Sequence, residues 1–131
     1  MSEHPNAKTI NRMTQAVFEE DKDTLNEVFS PNLVFHLRGP YERAGDYDGV
    51  GGFLDTLGSI FEATGGDIQL DTQFILADDQ WGAEWEVAKL GRDGKILESR
   101  NAFVYRFEDG RIAEMWMYLG ADADDAEVFF A

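Results

Sequence analysis

The residue best suited to chemistry is His36, which follows the apolar residues 33–35 and precedes a Gly-Pro turn at residues 39–40. The chain has only two histidines, and the other, His4, lies in a polar N-terminal segment. An imidazole exchanges protons near neutral pH, so at the edge of an apolar region it could act as a general base. The same pattern also fits a core histidine whose ring nitrogens are simply hydrogen-bonded.

Three residues that follow His36 could assist it. Asp46 could fix the tautomer of the imidazole and raise its basicity. Tyr41 and Tyr47 each offer a hydrogen-bond donor on an apolar ring, so they are candidates for the mouth of a binding cavity. The segment AGDYDG over residues 44–49 is, however, also good turn and helix-capping chemistry without any ligand. We name His36, Asp46 and Tyr47 as candidate catalytic residues and Tyr41 as a candidate ligand contact.

Composition and charge exclude several classes of function. The chain has 26 acidic and 11 basic residues, and its net charge of −15 repels phosphate backbones and anionic lipids. We therefore expect no nucleic acid and no membrane as partners.

No apolar run reaches the roughly 18 residues of a membrane span, and the N-terminus lacks the features of a secretory signal, so a cytoplasmic location is predicted. With no cysteine, no clustered histidines and no phosphate-binding loop, we predict no metal and no cofactor.

Apolar spacing predicts three helices in the first half of the chain. The first has apolar residues between positions 10 and 18, and the second has them between 25 and 29, with Asp23 as its N-cap and its end at residues 30–31. The third has a continuous apolar face, formed by Val50, Phe53, Leu54, Leu57, Ile60 and Phe61. Asp48 is predicted to cap this helix, and Gly65 to end it.

The second half of the chain is typical of strands, predicted over residues 68–77, 82–90, 96–107 and 111–119. Asp-Gly pairs at 93–94 and 109–110 are strong hairpin signals, so these strands form an antiparallel meander. An amphipathic segment over 122–130 ends the chain. Helices followed by a meander indicate an α+β fold. We predict one domain over residues 1–131, with a flexible tail over 1–6 and a C-terminal helical segment over 122–131.

Alternation along the strands divides side chains between the two faces of the sheet. Asn101, Phe103 and Tyr105 share one face, which we assign to the interior because the neighbouring arginines suit the outside. Met115 and Met117 would likewise face inward unless a bulge intervenes. Asn101 and Tyr105 could donate hydrogen bonds to a carbonyl group, or could simply be satisfied polar residues of a sheet.

The order of elements, together with FHLRG, AGDYDG and RFEDGRIAEMWMY, resembles the SnoaL-like branch of the nuclear-transport-factor-2-like superfamily, which groups with ketosteroid isomerase-related proteins. The resemblance spans residues 7–130. It implies a cone-shaped, curved antiparallel sheet wrapped around three N-terminal helices (a cystatin-like or nuclear-transport-factor-2-like fold). It also implies an apolar pocket and a homodimer formed through the outer sheet face. The ligand contacts expected in such a pocket are Tyr41, Phe53, Leu57, Asn101, Phe103, Tyr105, Met115 and Met117.

The resemblance places His36 on or next to the base of the ketosteroid isomerases. The acid of those enzymes falls on Phe103, a region where SnoaL-like cyclases often carry a histidine. The aspartate that the cyclases carry four residues beyond the position of Trp116 falls on Gly120, and Asp122 could replace it only if the chain bends differently. The partner groups of a catalytic base are therefore absent from their usual places.

Two functions remain open from the sequence. The first is a cofactor-independent isomerase, cyclase or dehydratase acting on a small apolar molecule that bears a carbonyl, with His36 as general base. The second is a non-catalytic module that binds an apolar ligand or serves as a dimeric adaptor. Limonene-type epoxide hydrolysis is disfavoured, because the arginine that it needs is missing from residues 84–86.

Overall fold

The computed structural model describes residues 3–131, which form four helices and one six-stranded sheet. The helices are α1 (Pro5–Glu19), α2 (Lys22–Val28), α3 (Gly49–Thr64) and α4 (Ala123–Phe130). The strands are β1 (Phe29–Arg38), β2 (Gly45–Asp48), β3 (Ile68–Ala77), β4 (Trp81–Arg92), β5 (Lys95–Glu108) and β6 (Arg111–Tyr118). The sheet order is β2-β1-β6-β5-β4-β3, and every neighbouring pair is antiparallel except β1 with β6. The predicted α+β class is confirmed.

Local capping sets the starts of the first two helices. His4 is the N-cap of α1, and its ring nitrogen accepts a hydrogen bond of 3.0 Å from the backbone N–H of Asn6. The helix therefore begins inside the segment predicted as a flexible tail, of which residues 1 and 2 lie outside the described residues. Asp21, and not the predicted Asp23, caps α2 through a 3.1 Å hydrogen bond from the N–H of Thr24.

Helix α3 lies on the sheet through an aromatic contact. The ring of Phe53 packs edge-on against Phe29 and Phe35 of β1, with centroid distances of 5.1 and 5.0 Å. The helix begins after Asp48 as predicted, but the Asp48 side chain makes no capping hydrogen bond. Its predicted end is confirmed at Gly65, which adopts a left-handed φ of 62°.

The strands of the second half agree with the prediction to within two residues at each end. Both Asp-Gly turns have positive φ at both residues, the geometry of a tight two-residue hairpin. Strand β2 is a correction, because residues 45–48 were expected to lie in a loop and instead pair with β1 as an edge strand.

Burial alternates along the strands and defines two faces of the sheet. The inner face packs on the helices and includes Leu33, Phe35 and Leu37 of β1. The outer face exposes five large apolar side chains, Phe74, Leu76, Trp81, Ile96 and Tyr118. Among the described residues, no helix is long and apolar enough to cross a membrane.

Candidate active site

A central cavity lies between α1, α3 and the inner face of the sheet, with a volume of about 90 Å³. Most of its wall is aliphatic or aromatic. The polar residues on the wall are Thr14, Glu84, Glu86, Asn101 and Tyr105. Within residues 3–131, no lysine, arginine or histidine lines it. The chemistry available in this cavity therefore belongs to two carboxyl groups, an amide, a phenol and a hydroxyl.

Glu86 on β4 lies directly across from Asn101 on β5. The Asn101 amide Nδ2 donates to Glu86 Oε2 at 2.8 Å, and Ser99 Oγ donates to Asn101 Oδ1 at 2.6 Å. Burial raises the pKa of Glu86 to about 7; the Asn101 hydrogen bond opposes this rise, and the neighbouring Glu84 carboxylate adds to it. Glu86 can therefore give or take a proton near neutral pH.

Glu84 lies two residues earlier on the same face of β4. Tyr105 Oη donates to Glu84 Oε1 at 2.7 Å, a diagonal contact between β5 and β4. Burial raises the pKa of Glu84, and the Tyr105 hydrogen bond opposes that rise by stabilising the carboxylate. Burial and the adjacent Glu84 hold the pKa of Tyr105 well above its ordinary value, so the phenol keeps its proton.

Each carboxyl group uses one oxygen in the protein and leaves the other free. Glu84 Oε2 and Glu86 Oε1 have no hydrogen-bond partner within the described chain. No enclosed side-chain nitrogen or oxygen of residues 3–131 lacks a partner, so these two oxygens must open into the cavity. A ligand in the cavity would meet two carboxyl oxygens within an otherwise apolar wall.

His36 lies on the outer side of the sheet and does not line the cavity, so its expected place at the edge of the apolar region is corrected. Side chains alternate along β1, and the more apolar Phe35 and Leu37 occupy the inner face, which turns the imidazole outward. There Nδ1 lies 2.7 Å from Asp46 Oδ1, Nε2 lies 2.6 Å from Glu114 Oε2, and the ring stacks on Trp116. His36 and the cavity therefore lie on opposite faces of the same sheet.

The three residues expected to assist His36, namely Asp46, Tyr47 and Tyr41, are also absent from the cavity wall. Asp46 makes the expected hydrogen bond to His36, but on the exposed outer side, where it also accepts from Arg38 at 2.7 Å. Tyr47 packs against Phe35 and donates to a backbone carbonyl. Tyr41 is hydrogen-bonded to Ser59 and contacts the C-terminal helix. The placement of Tyr41 and Tyr47 at a cavity mouth is therefore corrected, and Asp46 supports His36 away from the cavity.

Seven predicted ligand contacts do lie on the cavity wall: Phe53, Leu57, Asn101, Phe103, Tyr105, Met115 and Met117. Their contact with a ligand stays a prediction. The sequence analysis did not name Glu84 and Glu86 as site residues, because acidic residues in so acidic a chain suggest solvent-facing positions. The signal was present in the hairpin turn at residues 93–94, since counting strand pairs outward from it places Glu86 opposite Asn101.

The two positions at which the resemblance leads one to expect further acidic groups, Phe103 and Gly120, carry none in this chain. Phe103 is apolar, and its ring stacks parallel to that of Tyr105 with centroids 6.1 Å apart. A Cβ atom on Gly120 would lie 1.9 Å from the carbonyl oxygen of Arg100, so no side chain fits there without backbone movement. Asp122 caps α4 by accepting hydrogen bonds from the N–H groups of residues 124 and 125, and it does not line the cavity.

Comparison with known proteins supplies the family and the fold. A family model described as a SnoaL-like domain matches residues 10–115. The structure of Bal32a, from a soil-derived mobile gene cassette, is 26% identical with a TM-score of 0.84, and the match covers 97% of each chain. IdmH of Streptomyces antibioticus, a proposed polyketide cyclase, is 22% identical with a TM-score of 0.74 over 96% of this chain and 98% of IdmH. An NTF2-like protein of unknown function from Burkholderia pseudomallei K96243 is 15% identical with a TM-score of 0.80 over 100% and 99%. No curated protein sequence matches significantly. The nuclear-transport-factor-2-like fold is confirmed.

Proposed function

The chain belongs to the SnoaL-like domain family, a family of the small-molecule isomerase and cyclase type, and from this premise we propose that it is a cofactor-independent acid–base enzyme. Its substrate is a small, largely apolar molecule that carries a carbonyl group. The observation that supports this most directly is the pair Glu84 and Glu86, each with one oxygen held by the protein and one open to an apolar cavity. This pair replaces His36 as the source of acid–base chemistry.

The two carboxyl groups suit different roles. Like charges close together in a buried site disfavour double ionisation, so one group holds a proton while the other is ionised. Tyr105 donates to Glu84 and stabilises its carboxylate, which makes Glu84 the base that removes a proton beside the carbonyl. Glu86, with a pKa of about 7, is the acid that donates to the substrate oxygen and stabilises the enolate.

The test follows loss of the α-proton signal of cyclohexanone by NMR in D₂O, which detects enolisation without knowledge of the natural substrate. We expect the wild type to accelerate exchange above the buffer rate, and Glu84→Gln to lower the enzymatic rate by ~100-fold or more. Glu98→Gln is the matched control, since Glu98 lies exposed on β5. A ketone that binds in the cavity but exchanges no faster than in buffer would rule out this chemistry for that class of compound.

The role of Glu86 predicts a separate effect of pH. Exchange by the wild type should fall as the pH rises through about 7, because Glu86 loses the proton that it donates. Glu86→Gln keeps a donor group that does not titrate, so its slower exchange should lose this fall. If the fall persisted in Glu86→Gln, another group would be the acid.

A binding function without catalysis is the second candidate. The observation that favours it is that the polar cavity groups already bond to one another, as in the Tyr105–Glu84 and Asn101–Glu86 pairs. Such a cavity could hold an apolar ligand unchanged. Native mass spectrometry of the purified protein separates the two candidates, since a co-purified compound released unaltered after incubation supports binding and a rearranged product supports catalysis.

A further inference from the structure

We propose that Phe18 and Phe61 form a gate at the rim of the central cavity and set the size of ligand that it admits. This inference rests on the proposed function in one respect, namely that the cavity is where the ligand binds. It adds a specificity-determining pair that lies away from the carboxyl groups.

The two rings bridge the gap between two helices. Phe18 lies in the last turn of α1 and Phe61 in the last turns of α3, and their centroids are 5.5 Å apart at an interplanar angle of 76°. Both rings line the cavity. An edge-to-face pair of this kind is favourable but weak enough to open.

Exposure locates this pair where the cavity meets solvent. Phe18 is 45% exposed and, among the described residues of the cavity wall, is the only exposed one, whereas Glu84 and Glu86 are each 4% exposed. The carboxyl groups therefore lie at the deep end and Phe18 at the outer end. A ligand that approaches from the side of α1 and α3 must pass this ring.

The cavity size makes the gate relevant to specificity. Its volume of about 90 Å³ lies well below the roughly 300–1,000 Å³ of sites that enclose drug-sized ligands. A ligand with two fused rings therefore requires rim side chains to move. The half-exposed Phe18 ring is the one free to do so, since rotamer changes of exposed side chains need no backbone movement.

The test compares two neutral ketones, cyclohexanone and the bicyclic 2-decalone, by NMR titration, with the methyl signals of Met115 and Met117 reporting occupancy of the cavity. In Phe18→Ala we expect the Kd of 2-decalone to fall by ~10-fold or more, while that of cyclohexanone changes far less. Phe18→Trp should weaken 2-decalone binding further. Phe74→Ala is the matched control, because Phe74 is 48% exposed but lies on the outer face.

The outcomes separate the gate from the proposed function. If cyclohexanone binds in the cavity and the ratio of the two Kd values is the same in Phe18→Ala as in the wild type, the gate is overturned and the proposed function stands. Equal tightening of both ketones also overturns the gate, since it indicates general loosening. If neither ketone shifts the Met115 and Met117 signals of the wild type, the ligand class and the gate fail together.

Discussion

At the scale of residues, Glu84 and Glu86 show what allows two carboxyl groups to sit in an apolar cavity. A buried carboxyl is costly unless hydrogen bonds replace its water, and each of these accepts one from β5. The donors Tyr105 and Asn101 flank Phe103 on the same strand face. The hydrogen bonds thus fix one oxygen of each carboxyl and leave the other directed at a ligand.

The pKa of Glu86 should respond in opposite directions to two substitutions. Burial raises this pKa, Asn101 lowers it and Glu84 raises it. Asn101→Ala should therefore move the pKa of Glu86 further above about 7, and Glu84→Gln should move it downward. The ¹³C chemical shift of the Glu86 carboxyl, followed across pH, measures both. Equal pKa values in all three proteins would contradict this account of the site.

The sequence predicted the content of the inner face but not the position of His36. Alternation alone placed Asn101, Phe103 and Tyr105 correctly, because arginines flank them and mark the outer face. On β1 the same rule points His36 outward, since it shares a face with Arg38 while the opposite face, Leu33, Phe35 and Leu37, is wholly apolar. The packing of Phe35 against α3 agrees with this pattern, so the expectation of His36 at an apolar cavity conflicted with a signal already present in the strand.

At the scale of elements, His36 joins three strands on the outer face. Its ring nitrogens contact Asp46 of β2 and Glu114 of β6, and Glu114 also accepts from Arg106 of β5. Burial opposes the charged imidazole, but the hydrogen bonds to the two carboxylates outweigh it and raise the pKa of His36. The short edge strand β2 is therefore attached to the sheet partly by a charge that depends on pH.

This attachment predicts a pH-dependent contribution to stability. Because the folded-state pKa of His36 is raised, the contribution is complete below the unfolded value near 6.5 and disappears as the pH rises through the folded value. Urea unfolding of wild type and His36→Gln from pH 5 to 9 should give a stability difference that shrinks across that window. A difference that grows with pH would have the wrong sign for this interaction.

The elements that were predicted well carry their own boundary signals. The Asp-Gly turns and the left-handed Gly65 end strands and a helix by local geometry alone. Strand β2 carries no such signal, since its four residues pair with β1 only because the chain folds back after residue 39. Strand β2 forms only because it pairs with β1, and the sequence of residues 45–48 alone does not show that pairing.

At the scale of the whole molecule, the outer face remains the candidate for association. It exposes large apolar side chains, including Trp81 at 46% and Leu76 at 64%. The homodimer implied by the family resemblance stays a prediction. A net charge of −15 on each copy opposes that association through long-range repulsion.

Sedimentation equilibrium tests this prediction through salt and substitution. Raising the salt concentration should tighten the dimer, because screening weakens the repulsion between two acidic chains. Trp81→Glu should weaken it. Gln15→Glu, which adds the same charge at an exposed position of α1 on the opposite side of the sheet, is the matched control. A sedimenting mass of one chain at every salt concentration would exclude the dimer.

Gly120 limits how this protein could be converted into one with the cyclases' arrangement of acids. Any side chain there would meet the Arg100 carbonyl, with the Cβ atom 1.9 Å from that oxygen, so an aspartate cannot be gained by one substitution while β5 keeps its path. Moving β5 would displace Asn101, which holds Glu86. Directed evolution toward the cyclase arrangement would have to remodel the chain after β6 before it could add the acid.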